Sequence, residues 1–343
     1  ARIQIEGREK GEPIYEVLES EPGFGLACLP EPSPNDIFLD LEGDPYVGES
    51  GLEYLFGYVI LDNDDQHHYT GLWALSRVDE KCNFEQFVDW VIERWKQYPD
   101  LHIYHYAPYE PGALKRLMGR HATREEEIDQ MLRAGLFVDL FGVVRHGIRA
   151  SVESYSIKRL EQFYGYERAV DLPDANRALA GVHACLELAE PEGISDDHKA
   201  IVQAYNRDDC ISTHALRTWL EGIRSKLIED GAQIDRPVAG NGDPSEVISE
   251  WQEKINQLLL RLIADVPTDI ENRSEEQYAK WVLANILDWH RRENKALWWE
   301  YFRLSDLSAE ELLDERSGIA GLVFVDSVGG TAKAPVHRYH FPA

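Results

Sequence analysis

The chain has 343 residues, a formal net charge of −27, 43% hydrophobic residues and 28% charged residues. That length predicts one large globular domain with an appendage. The acidic balance argues against binding nucleic acid through a broadly basic surface, and no apolar run approaches the roughly 18 residues of a membrane span. Four scattered cysteines without a C-x-x-C pair disfavour zinc and iron–sulfur sites, and reduced thiols predict a cytoplasmic protein.

The first 34 residues are predicted to be an N-terminal linker. A short strand candidate, Ala1 to Ile5, precedes a stretch rich in proline and glycine that runs from Gly11 to Pro34. Such a composition favours turns and irregular backbone. We therefore place the start of the main domain, 35–230, just after this stretch.

The domain begins with three predicted strands and continues with alternating strands and helices. Apolar and aromatic runs at Asp36–Asp44, Leu52–Leu61 and His68–Leu75 are separated by short turns, which indicates an antiparallel meander. The hydrophobic period then changes to that of a helix closed by Pro99. The remaining predictions are strands at 101–106 and 136–144 and helices at 110–118, 123–132, 154–164 and 195–228.

This order predicts an α/β fold with a mixed sheet, three antiparallel strands followed by parallel ones, and flanking helices. A Gly/Pro/Asp linker from Gly231 to Pro244 then leads to a mainly helical appendage, 245–343. Ser274-x-x-Gln277 is a capping-box pattern in this appendage. Strand-like sequence returns at its end, in 319–327 and 336–341.

Two acids follow the first strand of the domain. Asp40 and Glu42 are two residues apart, so on an extended strand their side chains lie on the same face. Neighbouring carboxylates repel each other unless a cation lies between them, and carboxylate oxygen is preferred by Mg²⁺ and Mn²⁺. The alternative is a strand that ends in a solvated acidic loop.

Two further segments with candidate acidic site residues occur later in the chain. Glu110 follows the aromatic strand end His105-Tyr106 at a strand-to-helix junction, and Tyr205 and Asp209 lie one helical turn apart on one helix face. Each has an ordinary alternative: Glu110 as a first-turn acid, Tyr205 as a core tyrosine, Asp209 as a solvated acid. Asp139 is interpreted as a cap at a strand end.

The three acidic segments, at Asp40/Glu42, Glu110 and Tyr205/Asp209, together resemble the motifs of the DEDD 3′–5′ exonucleases, in their tyrosine-bearing variety. The resemblance covers about Asp36 to Leu220. The segments FLDLEGDP at 38–45, GLEYLFG at 51–57 and YNRDDC at 205–210 are similar to the YprB-type ribonuclease H-like domain of RecB-like nuclease–helicase fusion proteins. In the family pattern the second acidic segment carries Asp, where this chain has Glu110. For the last acid of the pattern, Asp208 is an alternative to Asp209.

The resemblance implies a metal-dependent 3′–5′ exonuclease that hydrolyses phosphodiester bonds at single-stranded ends, with DNA favoured. Asp40, Glu42, Glu110 and Asp209 would hold two Mg²⁺ or Mn²⁺ ions, and Tyr205 would orient or help deprotonate the attacking water. It also implies a piece of a larger protein with adjoining helicase and RecB-like nuclease modules, residues 245–343 beginning the helicase. No G-x-x-x-x-G-K-[ST] loop occurs in the sequence.

Two other functions fit the same residues. One is a catalytically weak or inactive exonuclease-fold scaffold that links nuclease and helicase modules, which Glu110 and the −27 charge favour. The other is a metal-dependent phosphoesterase for small nucleotides, which would need no basic surface.

Overall fold

The computed structural model describes residues 2–62, 64–238, 240, 242, 246–267, 272–307, 311–315 and 318–341. The chain divides into two compact units, 1–248 and 249–343. The first unit carries the central sheet and the second is mainly helical.

A five-stranded mixed sheet forms the centre of the first unit, in the order β4-β3-β2-β5-β6. Strands β2, β3 and β4 are antiparallel neighbours, whereas β5 runs parallel to β2 and β6 runs parallel to β5. A separate antiparallel pair joins β1 to β7. The strands are β1 Tyr15–Val17, β2 Ile37–Asp44, β3 Leu52–Leu61, β4 His67–Trp73, β5 Ile103–His105, β6 Phe137–Asp139 and β7 Ile148–Ala150.

Eight helices accompany these strands in the described part of the first unit before residue 230. They are α1 Arg2–Lys10, α2 Arg77–Gln97, α3 Tyr109–His121, α4 Glu125–Ala134, α5 Leu140–Gly147, α6 Ile157–Tyr164, α7 Leu172–Glu187 and α8 Asp196–Glu229. The mixed sheet with flanking helices is the architecture that the sequence predicts.

Both faces of the sheet are covered, which explains why the first eight residues of β3 are all buried. On one face, α8 packs on β2 and β3, with Leu216 in the same core cluster as Phe38. On the other face, the α2 side chain Trp90 stacks on Tyr58 at 4.5 Å. A strand buried on both faces reads as a continuous apolar run rather than an alternating one.

The N-terminal segment differs from its prediction. Residues 2–10 form helix α1 rather than a strand, because Ile3 and Gly7, one helical turn apart, are the buried positions. Gly7 lies directly against Ser151, where a Cβ would be 2.6 Å from the Ser151 Cβ. The expected linker also contributes β1 and a 3-10 helix, Gly25–Cys28, so it packs on the sheet unit.

The predicted strand over Leu136–Val144 is wrong in its second half. The strand ends at Asp139, whose carboxylate accepts the N–H of Phe141 and begins α5. Leu140, Val143 and Val144 are then buried at helical spacing. Helix α7 was not predicted, although Asp171 and Pro173 mark its start. The long helix α8 and its Ser195 cap are confirmed, since Ser195 Oγ accepts the N–H of His198 at 3.1 Å.

The second unit contains four helices and a hairpin in its described residues. They are α9 Glu246–Ile263, α10 Glu275–Ile286, α11 Trp289–Asp306, α12 Glu311–Asp314, β8 Val323–Thr331 and β9 Ala334–His340. The capping box predicted at Ser274 and Gln277 is confirmed. Among the described residues of the whole chain, no helix has the length and apolarity that a bilayer crossing requires.

Candidate active site

Strand β2 places two carboxylates on one face of the sheet. Asp40 pairs with Gly57 and Glu42 with Leu55 on β3, and the register shifts immediately after Glu42. The shift brings Gly43 against the Glu53 carboxylate, where a Cβ on Gly43 would be 2.2 Å from an oxygen. The bulge therefore ends the regular strand beside the two acids, a common position for bulges near functional sites.

Helix α8 brings the third acid to the same point. Carboxylate oxygens of Asp40, Glu42 and Asp209 lie within 4.8 Å of one another, and no other described group of three or more acids, histidines or cysteines is this close. Tyr205 lies one turn earlier on α8. The packing of α8 across β2 and β3 is what joins residues that are far apart in sequence.

Glu110 reaches the cleft from the first turn of α3. The loop before it is held by Ala107, which has a left-handed backbone at φ 71°. Its N–H donates to Asp139 Oδ1 at 2.8 Å, and its carbonyl accepts from His105 Nδ1 at 2.7 Å. The cap interpretation of Asp139 is thus confirmed, and the same carboxylate fixes the loop that precedes Glu110.

The five residues singled out from the sequence line one cleft of about 560 Å³. Glu110 lies in the wall but outside the group of three, and its Oε2 has no hydrogen-bond partner among the described residues. His105 Nδ1 is 3.5 Å from that oxygen. Five residues form the chemical core of the lining: Asp40, Glu42, Glu110, Tyr205 and Asp209.

The acids of the cleft resist ionisation. Burial, and after it the charge of Asp209, raises the pKa of Glu42 to about 8, and the same two causes raise the pKa of Asp40 well above its ordinary value. Burial also raises the pKa of Glu110. Removal from water disfavours the charged form, and neighbouring like charges add to the effect. A divalent cation would relieve both penalties.

Asp209 already has two cationic neighbours. Arg168 donates to Asp209 Oδ1 at 2.6 Å, and Lys158 Nζ lies 3.2 Å from Oδ2. Arg168 also forms a two-point contact with Glu161. Burial raises the pKa of Tyr205 to about 12, with the charge of Asp209 adding to the shift, so its phenol keeps its proton near neutral pH.

The two adjacent acids of α8 do different things. Asp208 accepts hydrogen bonds from the Tyr166 hydroxyl and from the N–H groups of Ala169 and Val170, at 2.9 to 3.1 Å. It therefore stabilises the loop after α6, whereas Asp209 faces the cleft.

Sequence reasoning missed Asn206, which is fully buried under the acids. Its Nδ2 donates to Asp40 Oδ2 at 2.7 Å, and its Oδ1 accepts from the Tyr69 hydroxyl at 2.8 Å. Gly57 makes room for it, since a Cβ there would be 1.5 Å from Asn206 Oδ1. A signal was present, because Asn206 lies within the motif segment YNRDDC.

A protein-family comparison is consistent with this geometry. The family model described as the RNase H superfamily matches residues 37–221, just over half of the chain. The chain belongs to the RNase H superfamily. Searches of the curated proteins and of the solved structures return no match. The RNase H-like domain indicates nuclease-type activity and nucleic-acid binding in general, and such nucleases usually use divalent metals.

The cleft residues fit a hard divalent cation. The donor set is composed of carboxylate oxygens, which suits Mg²⁺, Mn²⁺ or Ca²⁺ rather than a soft metal. The buried Glu110 Oε2 without a hydrogen-bond partner in the described chain is an oxygen available for a ligand. Asp40, Glu42 and Asp209 would hold one ion, with Glu110 contributing to a second.

Proposed function

We propose that this protein is a metal-dependent 3′–5′ exonuclease of the tyrosine-type DEDD class, acting on single-stranded nucleic-acid ends, with DNA favoured. The observation that carries the proposal is the convergence of Asp40, Glu42, Glu110, Tyr205 and Asp209 on one cleft. The polarity, the strand preference and the DEDD subtype rest on the resemblance of the motif segments.

In this function the four carboxylates would hold the ions, and contacts within the chain position three of them. Asn206 fixes the orientation of Asp40, Arg168 fixes Asp209, and the Ala107 loop sets the position of Glu110. Divalent ions held by these acids would supply a nucleophilic water and would stabilise the charge on the leaving 3′ oxygen.

Tyr205 acts as an orienting group rather than as a general base. Because its pKa is raised to about 12, the phenol remains protonated at neutral pH and cannot accept a proton from water. Its hydroxyl can instead hydrogen-bond the attacking water or a phosphate oxygen. The Lys158 ammonium lies 4.9 Å from the ring centroid of Tyr205 in this structure.

Because the net charge of −27 repels phosphate, positive charge must be present locally where the nucleic acid approaches the cleft. Lys158 and Arg116 line the cleft, and bound divalent ions add positive charge there. We propose further that adjoining helicase and RecB-like nuclease modules supply a basic surface, with residues 245–343 leading into the helicase.

The test is digestion of a single-stranded DNA oligonucleotide in Mn²⁺, read on 5′-labelled and 3′-labelled strands. We expect mononucleotides released from the 3′ end, a 5′-labelled ladder that shortens progressively, and no product with Asp40→Asn. Asp64→Asn, in an exposed turn, is the matched control and should keep wild-type activity. Digestion from the 5′ end, or equal activity of Asp40→Asn, would overturn the proposal; an RNA strand in parallel measures the DNA preference.

A scaffold without catalysis is the second candidate. Lys158 and Arg168 already neutralise Asp209, and Glu110 lies outside the tight group of acids. This candidate predicts that Mn²⁺ at millimolar concentration neither binds the cleft nor supports nucleotide release. The same Mn²⁺ assay with mononucleotide esters as substrates tests for a small-nucleotide phosphoesterase, which would cleave the esters and leave the oligonucleotide intact.

A further inference from the structure

Both carboxylate oxygens of Asp209 are in contact with basic side chains. Arg168 holds Oδ1 at 2.6 Å and Lys158 approaches Oδ2 at 3.2 Å. A carboxylate binds a divalent ion most strongly through an oxygen whose charge is not already shared with another cation. We therefore expect one of the two basic side chains to move away from Asp209 when a divalent ion binds there.

Arg168 is built to stay in place. Its side chain is 8% exposed, and its guanidinium binds Glu161 through two contacts at 3.0 and 2.6 Å. Ser212 Oγ donates to the same Glu161 carboxylate at 2.9 Å. Glu161 thus neutralises the Arg168 charge on the side away from the cleft. Breaking a buried ion pair that is held by several hydrogen bonds is costly.

Lys158 is built to move. Its side chain is 29% exposed, it lines the cleft, and a single ammonium on a flexible four-carbon stem carries the charge. Besides Asp209, it is close to the Tyr205 ring, whose centroid lies 4.9 Å from Nζ, and its charge attracts those of Asp40 and Glu42. Release from Asp209 Oδ2 would leave the ammonium partly in water, so the cost of moving it is much smaller than that of moving Arg168.

We propose that Lys158 is a tethered counter-ion that occupies Asp209 Oδ2 in the metal-free protein and is displaced when a divalent ion binds. The displaced ammonium then pairs with a phosphate of the nucleic acid in the same cleft. This inference rests on the proposed function, because it takes the cleft to be the metal and nucleic-acid site. Arg168 is the positioning residue that keeps Oδ2 turned toward the cleft.

The first test measures Mn²⁺ binding by calorimetry without any substrate. Lys158→Met removes the charge and keeps most of the side-chain length. We expect Mn²⁺ to bind this variant at least about tenfold more tightly than wild type, because no ammonium then has to be displaced from Asp209 Oδ2 against its attraction to the carboxylate. Lys158→Gln should behave the same way, and circular dichroism checks that both variants are folded.

Arg159→Met is the matched control, since it removes one positive charge at the next residue. Arg159 is 62% exposed on its side chain, and its contact is with Glu153 rather than with the cleft acids. It should leave the Mn²⁺ affinity within about twofold of wild type, because exposed charges are screened. Equal gains from Lys158→Met and Arg159→Met would overturn the proposal, since the effect would then be one of net charge alone.

The second test measures binding of a fluorescent oligothymidylate by anisotropy, with Ca²⁺ in place of Mn²⁺. Lys158→Met should weaken oligonucleotide binding about fivefold at low salt and reduce its salt dependence, while Arg159→Met should not. The opposite directions of the two effects, tighter metal and weaker nucleic acid, are the signature of a displaced counter-ion.

Failure of the inference and failure of the proposed function give different results. If wild type binds Mn²⁺ and Lys158→Met binds it with the same affinity, the metal site stands and the role of Lys158 is overturned. If neither wild type nor any variant binds Mn²⁺, the metal site itself is rejected and the displacement is rejected with it.

Discussion

Asn206 Nδ2 lies 2.7 Å from Asp40 Oδ2 and 3.1 Å from the Asp40 carbonyl oxygen, so one buried amide fixes both the backbone and the carboxylate of the first acid. The space for this amide exists only because residue 57, opposite Asp40 on β3, is glycine. The absence of a side chain at Gly57 therefore allows Asn206 to fix the orientation of the Asp40 carboxylate in the cleft.

Gly57→Ala should disrupt this link. A Cβ 1.5 Å from Asn206 Oδ1 forces the amide away from Asp40, so we expect loss of about 2–3 kcal/mol of stability and at least about tenfold weaker Mn²⁺ binding. Chemical denaturation and calorimetry measure the two effects. Gly119→Ala is the control, because Gly119 is helical with nothing within 4 Å of its Cβ position, and it should stabilise slightly. Unchanged metal binding in folded Gly57→Ala would contradict the role given to Asn206.

The neighbouring acids of α8 should separate stability from metal binding. Asp208→Asn replaces a carboxylate that accepts three hydrogen bonds from the 166–170 loop, so it should cost about 1–3 kcal/mol of unfolding free energy and leave Mn²⁺ binding largely intact. Asp209→Asn should abolish Mn²⁺ binding and nucleotide release. Calorimetry and denaturation of both variants check the prediction, and the reverse assignment of effects would show that Asp208 is the ligand.

Glu42 should make the metal-free protein less stable as the pH rises. Its pKa is about 8 in the folded protein against an ordinary 4.5, so between these values the folded state holds a proton that the unfolded chain has released. Stability therefore falls with rising pH, by an amount on the order of a few kcal/mol. Denaturation in EDTA at pH 5 and pH 8 measures it.

Glu42→Gln is the control for this pH dependence, because it cannot lose the proton. Its stability should fall less between pH 5 and pH 8 than that of wild type. Mn²⁺ affinity of the wild type should rise over the same interval, since binding requires the ionised carboxylate and releases the proton. Identical pH slopes for wild type and Glu42→Gln would refute the assignment.

Much of this site was accessible from sequence, for reasons that are local. Asp40 and Glu42 share a face because a strand has period two, and Tyr205 and Asp209 share a face because a helix repeats every 3.6 residues. The parallel pairing of β2 with β5, which brings Glu110 near the first two acids, follows from the alternation of strands and helices.

The features that sequence reasoning missed depend on tertiary contacts. In the segment from Leu136 to Val144 only Asp139 marks the change from strand to helix, and the strand ends there because the Asp139 carboxylate accepts hydrogen bonds from the N–H groups of Ala107 and Phe141. Asn206 lies in the motif segment YNRDDC, but that segment alone does not show that its side chain is buried between Gly57 and Asp40. The contact between Gly57 and Asn206 joins residues more than a hundred positions apart in the chain.

Glu80 joins three elements behind the cleft and predicts a purely structural defect. Its side chain is fully buried and accepts from the Glu53 N–H and from Arg77, Arg120 and His121 at 2.8 to 3.1 Å. Burial opposes its ionisation, but these four partners outweigh burial and lower its pKa. The stability that they contribute is present above the ordinary pKa of 4.5 and is lost as the pH falls.

Glu80→Gln should therefore cost about 3 kcal/mol at neutral pH, because the partly exposed Arg77 and Arg120 lose a fully buried counter-charge, and should leave Mn²⁺ affinity nearly unchanged. Glu85→Gln is the control: Glu85 is on the same helix, pairs with Arg124 and is partly exposed, so its loss should cost less than about 1 kcal/mol. Denaturation at pH 7 and pH 4 measures both variants. An equal loss in the two would mean that burial of Glu80 adds nothing.

We predict that Glu110 determines whether the cleft holds one divalent ion or two. It lies in the cleft wall with a buried oxygen that no described residue hydrogen-bonds, but outside the group formed by Asp40, Glu42 and Asp209. Burial opposes the charged imidazole of His105, yet the carboxylate of Glu110 and the charge of Asp139 outweigh it and raise the His105 pKa. His105 Nδ1 lies 3.5 Å from Glu110 Oε2 and favours the ionised carboxylate, although burial outweighs this and the Glu110 pKa stays raised.

Glu110→Gln should lower the Mn²⁺ stoichiometry from two ions to one and leave the tighter site with nearly unchanged affinity. The remaining group of three carboxylates accounts for the retained ion, and loss of the second should reduce nucleotide release by at least about a hundredfold. Glu126→Gln, an exposed acid on the next helix, is the control and should bind two ions. Calorimetry gives the stoichiometry and electron paramagnetic resonance the coupling between paired ions. Two coupled ions in Glu110→Gln would show that the second ion is held without this residue.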